Sequence, residues 1–274
     1  MSYKTILVHV EANAASDGRI RLACDLARRF GAAVVGVGAE AVEQPVYAVP
    51  SSVTGEVLKE LIDRAEAHLR EAEARFKRLA RDVPQGISWF SAMDYPHKVI
   101  ALHARAADLV IVNPRDNEAP ERVAANPADV IMAAGLPVLL APSEEVALSG
   151  RYVVLGWHNS RECRRAVGDA LPFLARAERV FLVGVAGGGA GEKDPSGLEE
   201  VAGRLKRHGI MVEAETKASA MPSIAQDLQQ AADRHGADLI VTGAYGHTRL
   251  REWALGGVTR ELIGGDSRFV LFSH

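Results

Sequence analysis

The residues best suited to chemistry lie in one late stretch, Gly243-Ala-Tyr-Gly246-His-Thr-Arg-Leu-Arg-Glu-Trp-Ala-Leu-Gly256-Gly257-Val258-Thr259. It follows a short apolar run ending at Thr242. A glycine there lets the chain turn sharply and brings the backbone within reach of a ligand. Gly246 keeps the loop free of a second Cβ. Gly256 and Gly257 open an apolar helical pattern whose first N–H groups have no intrahelical acceptor. Such donors, aligned with the helix dipole, favour an anion such as phosphate. The Thr259 hydroxyl either adds a hydrogen bond to that anion or caps the helix. Tyr245 and His247 flank Gly246, and His247 either meets a phosphate or faces solvent.

Other chemistries lack their residues. The nine histidines are scattered, with no HExxH pair for zinc. There is no GxSxG elbow and no loop ending in Gly-Lys-Ser/Thr. The glycine-rich run 187–191 is followed by Glu192 and Asp194, and reads as a flexible connector. Cys24 and Cys163 have no partner at metal spacing and read as small buried hydrophobes. No nucleophile, general base or metal cluster accompanies the late loop, so binding is expected rather than efficient catalysis.

The elements that must carry this loop alternate in type. Apolar, β-branched runs at Thr5–Val10, Ala33–Val37, Ile87–Ser91, Leu109–Val112 and Val138–Ala141 read as strands buried on both faces. Helical patterns fall at Ser16–Phe30, Thr54–Asp82, Pro96–Ala106 and Ala128–Ala134. Asn13 and Ser16 are candidate caps of the first helix, and Gly31 its stop. The second half repeats the order. Its strands are Val153–Trp157, Val180–Val185, Met211–Ala214, Leu239–Thr242 and Phe269–Phe272, and its helices Arg161–Ala175, Leu198–His208, Ile224–His235 and Val258–Ile263. This is the pattern of parallel sheets with crossover helices. Ligands of such sheets bind beyond the carboxyl ends of the strands, where strand order reverses. The loop Gly156-Trp157-His158-Asn159-Ser160, after the first strand of the second half, would face the glycine loop across that crevice.

The halves also match in their letters. Ala107-Asp-Leu-Val-Ile-Val112 recurs as Ala237-Asp-Leu-Ile-Val-Thr242. Leu7–Glu11 aligns with Val154–His158. Two copies of one unit are therefore expected, at 1–147 and 148–274, meeting in the polar, small-residue stretch near Glu145–Gly150. At the offset of the first match, Gly243, Gly246 and Gly256 fall on Asn113, Asp116 and Asn126, and Gly257 falls on Pro127. Asp116, Glu118 and Glu121 would repel phosphate, so the first copy is read as structural or differently specialised.

The chain has 274 residues and a formal net charge of -3, so no chain-wide basic field points to nucleic acid or anionic membrane. No apolar run approaches the ~18 residues of a membrane span. The N-terminus enters a strand pattern without a signal-peptide profile, and a cytoplasmic protein is expected.

The late loop resembles the universal stress protein family, whose nucleotide-binding members carry G-x2-G-x9-G-[S/T]. Gly243, Gly246 and Gly256 are in register, followed by Val258 and Thr259. Gly257 departs from the motif by lacking a hydroxyl. The family also places an Asp after its first strand, where this chain has Glu11 in one copy and His158 in the other. The resemblance implies an α/β fold of two tandem, doubly wound, parallel five-stranded sheets of the adenine-nucleotide α-hydrolase-like type. The fifth strands, Val138–Ala141 and Phe269–Phe272, would meet in an internal pseudo-dimer. It implies ATP, with or without Mg2+, bound in the second copy by Gly156, Trp157, His158, Val185, Thr242, Gly243, Tyr245, Gly246, His247, Gly256, Gly257, Val258 and Thr259, with Val185 against the base. It also implies a regulatory or protective role, weak ATP hydrolysis at most, and further homodimerisation. A nucleotide-free scaffold working through protein partners is the alternative.

Overall fold

The computed structural model describes residues 2–43, 51–114, 120–142, 147–186, 197–218, 222–245, 257–265 and 268–274, with side chains described throughout except at 51–54, 185, 186, 217 and 218. The chain folds as two compact units, Tyr3–Ala134 and Gly135–His274.

In the first unit the strands are β1 (Thr5–His9), β2 (Ala33–Ala39), β3 (Ile87–Ala92) and β4 (Leu109–Val112). All are parallel, in the order β3-β2-β1-β4. The helices are α1 (Ser16–Phe30), α2 (Ser51–Ala80), α3 (Pro96–Ala104) and α4 (Pro127–Ala134). Ile6, Leu7, Val8 and all of β4 are fully buried, as near-continuous apolar strands demand. The α2 stripe is buried at Ala65, Ala72, Phe76 and Ala80, a helical spacing. The Arg75 guanidinium of α2 donates to Asp17 at 2.6 Å and to the Ala12 carbonyl at 3.2 Å, tying α2 to the start of α1.

The second unit contains β5 (Val138–Leu140), β6 (Tyr152–Trp157), β7 (Arg179–Ala186), β8 (Val212–Ala218), β9 (Leu239–Gly243) and β10 (Phe269–Ser273). Their order is β5-β10-β9-β6-β7-β8. Only β5 runs antiparallel within this group, pairing Val138, Leu139 and Leu140 with Phe272, Leu271 and Val270. The run β8-β7-β6-β9 repeats β3-β2-β1-β4. The helices are α5 (Arg161–Asp169), α6 (Leu171–Leu174), α7 (Leu198–Arg207), α8 (Ile224–His235) and α9 (Gly257–Ile263).

The fold is therefore α/β with mostly parallel sheet, as the alternation of elements implies. Two local expectations are corrected. The continuous helix Arg161–Ala175 is broken at Ala170, because Pro172 has no N–H to continue the ladder and starts a new turn instead. Ser16 does not cap α1. Its hydroxyl accepts from the Glu11 N–H at 2.8 Å and from Arg19 at 2.9 Å, and the N-cap position is Ala15. Asn13 does contribute, accepting the Ala15 N–H at 3.1 Å. Gly31 ends α1 in the left-handed region at φ 65°.

The repeated Ala-Asp-Leu letters have a physical purpose. The Asp108 carboxylate accepts the N–H groups of Lys4 (2.7 Å) and Thr5 (2.9 Å) at the start of β1. The Asp238 carboxylate accepts those of Ser149 (2.6 Å) and Gly150 (3.0 Å) just before β6. In each unit the residue preceding the fourth strand pins the entry of the first. Replacing Asp108 or Asp238 by Ala is expected to cost about 1–3 kcal/mol of stability, with Asn recovering part of it. Urea denaturation of the four variants checks this, and an unchanged midpoint in the Ala variants would refute the pinning role.

Candidate functional site

In the second unit, β6 and β9 are adjacent while the chain reaches β7 on one side and β10 on the other. Strand order thus reverses at the β6/β9 pair, and the loops leaving their carboxyl ends flank the crevice there. Ser160 closes the β6 loop by accepting the Cys163 N–H at 3.2 Å, capping α5. His158 is exposed in that loop, whereas Gly156 and Trp157 are buried. Val185 lies in β7, in register with Lys217 of β8.

The β9 end is more constrained. A Cβ on Gly243 would stand 2.5 Å from the Cys163 nitrogen and 2.6 Å from the Glu162 carbonyl carbon. Gly243 is thus required by the approach of α5, whatever else the loop does. Tyr245 holds φ 59°, a left-handed conformation uncommon for a residue with a side chain. Its N–H donates to the buried Thr259 hydroxyl oxygen at 3.3 Å. The two described ends of the loop, 243–245 and 257–259, therefore meet. Thr242 is also buried, and its hydroxyl leans toward the Gly243 carbonyl at 3.4 Å. Gly257 differs from Gly243. It is exposed, and a Cβ there would meet nothing within 4 Å. Val258 is half-buried. Gly246, His247 and Gly256 lie outside the described residues, as does Asp116 of the first copy.

In the second unit two features escaped the sequence reading. Glu162, in the first turn of α5, is a buried carboxylate beside Gly243. Burial pushes its pKa up, but its own backbone N–H, Arg161 and Ser160 outweigh that and hold it below the usual range. Position 162 gave no signal because an acidic residue in a first helical turn is ordinary. The second feature is a hollow at the amino-terminal ends of β6 and β7, about 560 Å³ and open, lined by Tyr152, Arg179, Phe181 and His235. There Phe181 stacks on His235 at 3.6 Å, and Arg179 and Arg234 pair with Glu213 and Glu215. Its polar groups are largely spent on one another.

The first unit uses the same place in the fold differently. A hollow of about 260 Å³ lies beyond the carboxyl ends of β1 and β2. Glu11 accepts from Arg19 at 3.3 Å and from Asn13 at 3.0 Å. Burial raises the Glu11 pKa, but Arg19, His9 and these hydrogen bonds together hold it below the usual range. Glu40, 4% exposed, takes Arg122 on one oxygen and His68 Nδ1 at 2.8 Å on the other. After β4 the chain reads Asn113-Pro114, and Pro127 opens α4 with Asn126 accepting the Ala128 N–H at 3.1 Å. Cys24 and Cys163 are buried, and burial pushes the Cys24 thiol up to about 11, as suits an inert packing residue. Among the described residues, no group of three His, Cys, Asp or Glu could hold a metal, and no helix is long and apolar enough to cross a membrane.

His9, the last residue of β1, is fully buried, with no hydrogen bond on either ring nitrogen. Burial lowers its pKa from 6.5 to about 4, against the opposing pull of Glu11. The unfolded chain therefore takes up the proton first as pH falls. Stability is full above pH 6.5 and should fall by up to about 3 kcal/mol as pH drops through the window to 4. Urea titrations of wild type and His9→Leu at neutral pH and near pH 4.5 test this. Equal losses in both proteins would remove His9 as the cause.

No protein-family profile matches the chain, and no curated protein matches its sequence. Solved structures do match. A universal stress protein from Archaeoglobus fulgidus DSM 4304 is similar over 98% of this chain and 95% of its own, at 14% identity and a TM-score of 0.69. A functionally unknown protein from Pseudomonas aeruginosa PAO1 is similar over 99% of this chain and 92% of its own, at 15% identity and a TM-score of 0.56. At such identities the likeness is one of architecture, and in architecture this chain has the fold of the universal stress proteins.

Proposed function

We propose that the chain is a tandem universal stress protein of the cytoplasm, its two copies spanning 1–147 and 148–274, whose second copy binds ATP, alone or with Mg2+. The role is regulatory or protective, with at most weak hydrolysis, and further homodimerisation accompanies it. The observation that carries this reading is the meeting of the loop ends Gly243–Tyr245 and Gly257–Thr259 beside the β6 loop, where strand order reverses. The G-x2-G-x9-G spacing and the shared fold support it. Gly156 and Trp157 stand on β6, His158 in the loop after it and Val185 on β7, the elements that would flank the base and ribose. Backbone amides of 243–259 would receive the phosphates, and Gly257 offers them an unobstructed approach.

A second reading, a nucleotide-free scaffold, is favoured by one observation. The approach of α5 already accounts for Gly243, and Tyr245 already engages the Thr259 oxygen.

Calorimetric titration with ATP, with and without Mg2+, separates the two. Saturable heat is expected. Gly246→Asp should weaken binding roughly tenfold or more by setting a carboxylate against phosphate, with unfolding still cooperative. Gly257→Ser restores the hydroxyl that the motif expects in open space and should tighten binding by up to roughly tenfold. Absence of heat at millimolar ATP with folded protein would establish the scaffold instead.

A further inference from the structure

The first unit leaves one sheet edge unguarded. β3 ends its strand order, and among the described residues no strand other than β2 pairs with it. Its letters are Ile87-Ser-Trp-Phe-Ser-Ala92, without a charge or a proline. Sheet edges are ordinarily protected by those residue types, because free N–H and C=O groups recruit another strand. The end strand of the second unit has that protection, since β8 carries Glu213, Glu215 and Lys217. Exposed apolar side chains gather around β3 instead. Phe90 is 44% exposed on the strand itself, and exposed Met93 follows it. Phe90 stacks on His103 of α3 at 4.2 Å, and exposed Leu102 is the neighbour of His103 in the chain.

The bonds to β2 fix the phase of the free groups. The Gly86 and Ala92 carbonyls accept the Val34 and Glu40 N–H groups at 3.2 and 3.3 Å. Successive residues of a strand alternate in direction, so residues 86, 88, 90 and 92 turn their backbone groups to β2. Ile87, Trp89 and Ser91 therefore turn theirs outward. That set is self-complementary. A two-fold axis at Trp89 sets Ile87 opposite the partner's Ser91 and Trp89 opposite the partner's Trp89, an antiparallel ladder of about six hydrogen bonds. Ser88 then lies opposite the partner's Phe90. The two Phe90 rings meet on the diagonal, a separation that aromatic side chains span.

Charge selects the same arrangement. At the amino end of β3, residues 77–82 carry Lys77, Arg78 and Arg81 against Asp82. At the carboxyl end Tyr95 donates to Glu43 at 3.0 Å. That bond and the Glu43 charge, then burial, Asp94 and Glu121, raise the Tyr95 pKa. Three carboxylates thus gather where Lys98 answers Asp94. Antiparallel self-pairing lays each basic end along the partner's acidic end. A foreign peptide would find no charged anchor on the strand to select it.

We propose that the free edge of β3 is the face on which two copies of this chain associate, β3 pairing antiparallel with β3 about a two-fold axis at Trp89. This association rests on the homodimerisation proposed above, gives it a surface and needs no nucleotide.

Sedimentation equilibrium of the full chain without nucleotide should show a reversible dimer, with a dissociation constant on the order of 10 μM, as suits a small interface. Ser91→Pro removes an outward N–H and no bond to β2, and should weaken the dimer roughly tenfold or more. Ser88→Lys sets a charge opposite the partner's Phe90 and should do likewise, with unfolding still cooperative. Cross-linking reads the register. Ser88→Cys chains mixed with Phe90→Cys chains and oxidised with diamide should form a disulfide-linked dimer several-fold faster than either chain alone. The 88–90 pairs approach to about 4.5 Å between Cα atoms, whereas 88–88 and 90–90 pairs stay beyond about 7 Å. Cys24 and Cys163 are buried and offer no competing surface thiol. A dimer that withstands both Ser91→Pro and Ser88→Lys, or a mixture that cross-links no faster than its components, would overturn this face and leave homodimerisation to another. Monomer at every concentration would overturn both.

Discussion

Burial of the central strands on both faces governs where this protein can place polar groups. Ile6, Leu7 and Val8 of β1, all of β4, Val153–Leu155 of β6 and Leu239–Val241 of β9 lose all contact with solvent. A polar side chain in the middle of such a strand would shed its water with no partner in return, at a cost of a few kcal/mol. Polar chemistry is thereby driven to the strand ends, and the two ends have divided the work. At the amino ends Asp108 and Asp238 satisfy backbone N–H groups. At the carboxyl ends lie every group argued above to meet a ligand. His9, fully buried at the last position of β1, is the exception, and the shift in its titration is the physical trace of that cost.

The two carboxyl ends diverge in charge more than in shape. In the first unit Glu11 pairs with Arg19, and Glu40 pairs with Arg122 and hydrogen-bonds His68. Such a cluster is held by geometry, since removing one partner strands the charge of the other. In the second unit the described part of the corresponding space is reached by Gly243, Thr259 and backbone, with Glu162 of the first turn of α5 beside Gly243.

The parts of the fold legible in the sequence were those fixed by short-range pattern. Apolar runs of the β1 and β4 type announce doubly buried strands, and the repeat shows in Ala107–Val112 and Ala237–Thr242. The break at Ala170 was missed because the apolar periodicity continues through Leu171, Phe173 and Leu174. Only the missing N–H of Pro172 marks it. Ser16 was misread for a related reason. Its hydroxyl answers the Glu11 N–H, a choice made by the path of the β1 loop and not by helix propensity. At the site, spacing alone found Gly243 and Thr259. It did not reveal that Gly243 is demanded by the α5 backbone, because that contact spans the distance from 163 to 243 in the chain. The Glu40–His68–Arg122 bridge was invisible for the same reason, joining three elements that only the fold brings together.

The repeat survives in letters where backbone geometry needs it and fades where ligands would be met. The dipeptide Ala-Asp before the fourth strand is kept in both halves, because a first strand entering beside a fourth leaves two N–H groups to be answered in either unit. Past the fourth strand the letters part, Asn113-Pro114 in one half and Gly243-Ala244 in the other. Gly243 is fixed by α5, while its counterpart Asn113 follows a strand whose unit packs its helices otherwise. The loops beyond are therefore free of the constraint that holds the amino ends alike. A duplicated sheet of this kind can keep one end as architecture and let the other take up separate chemistry in each copy, since the strands between them, dry on both faces, transmit no polar requirement from one end to the other.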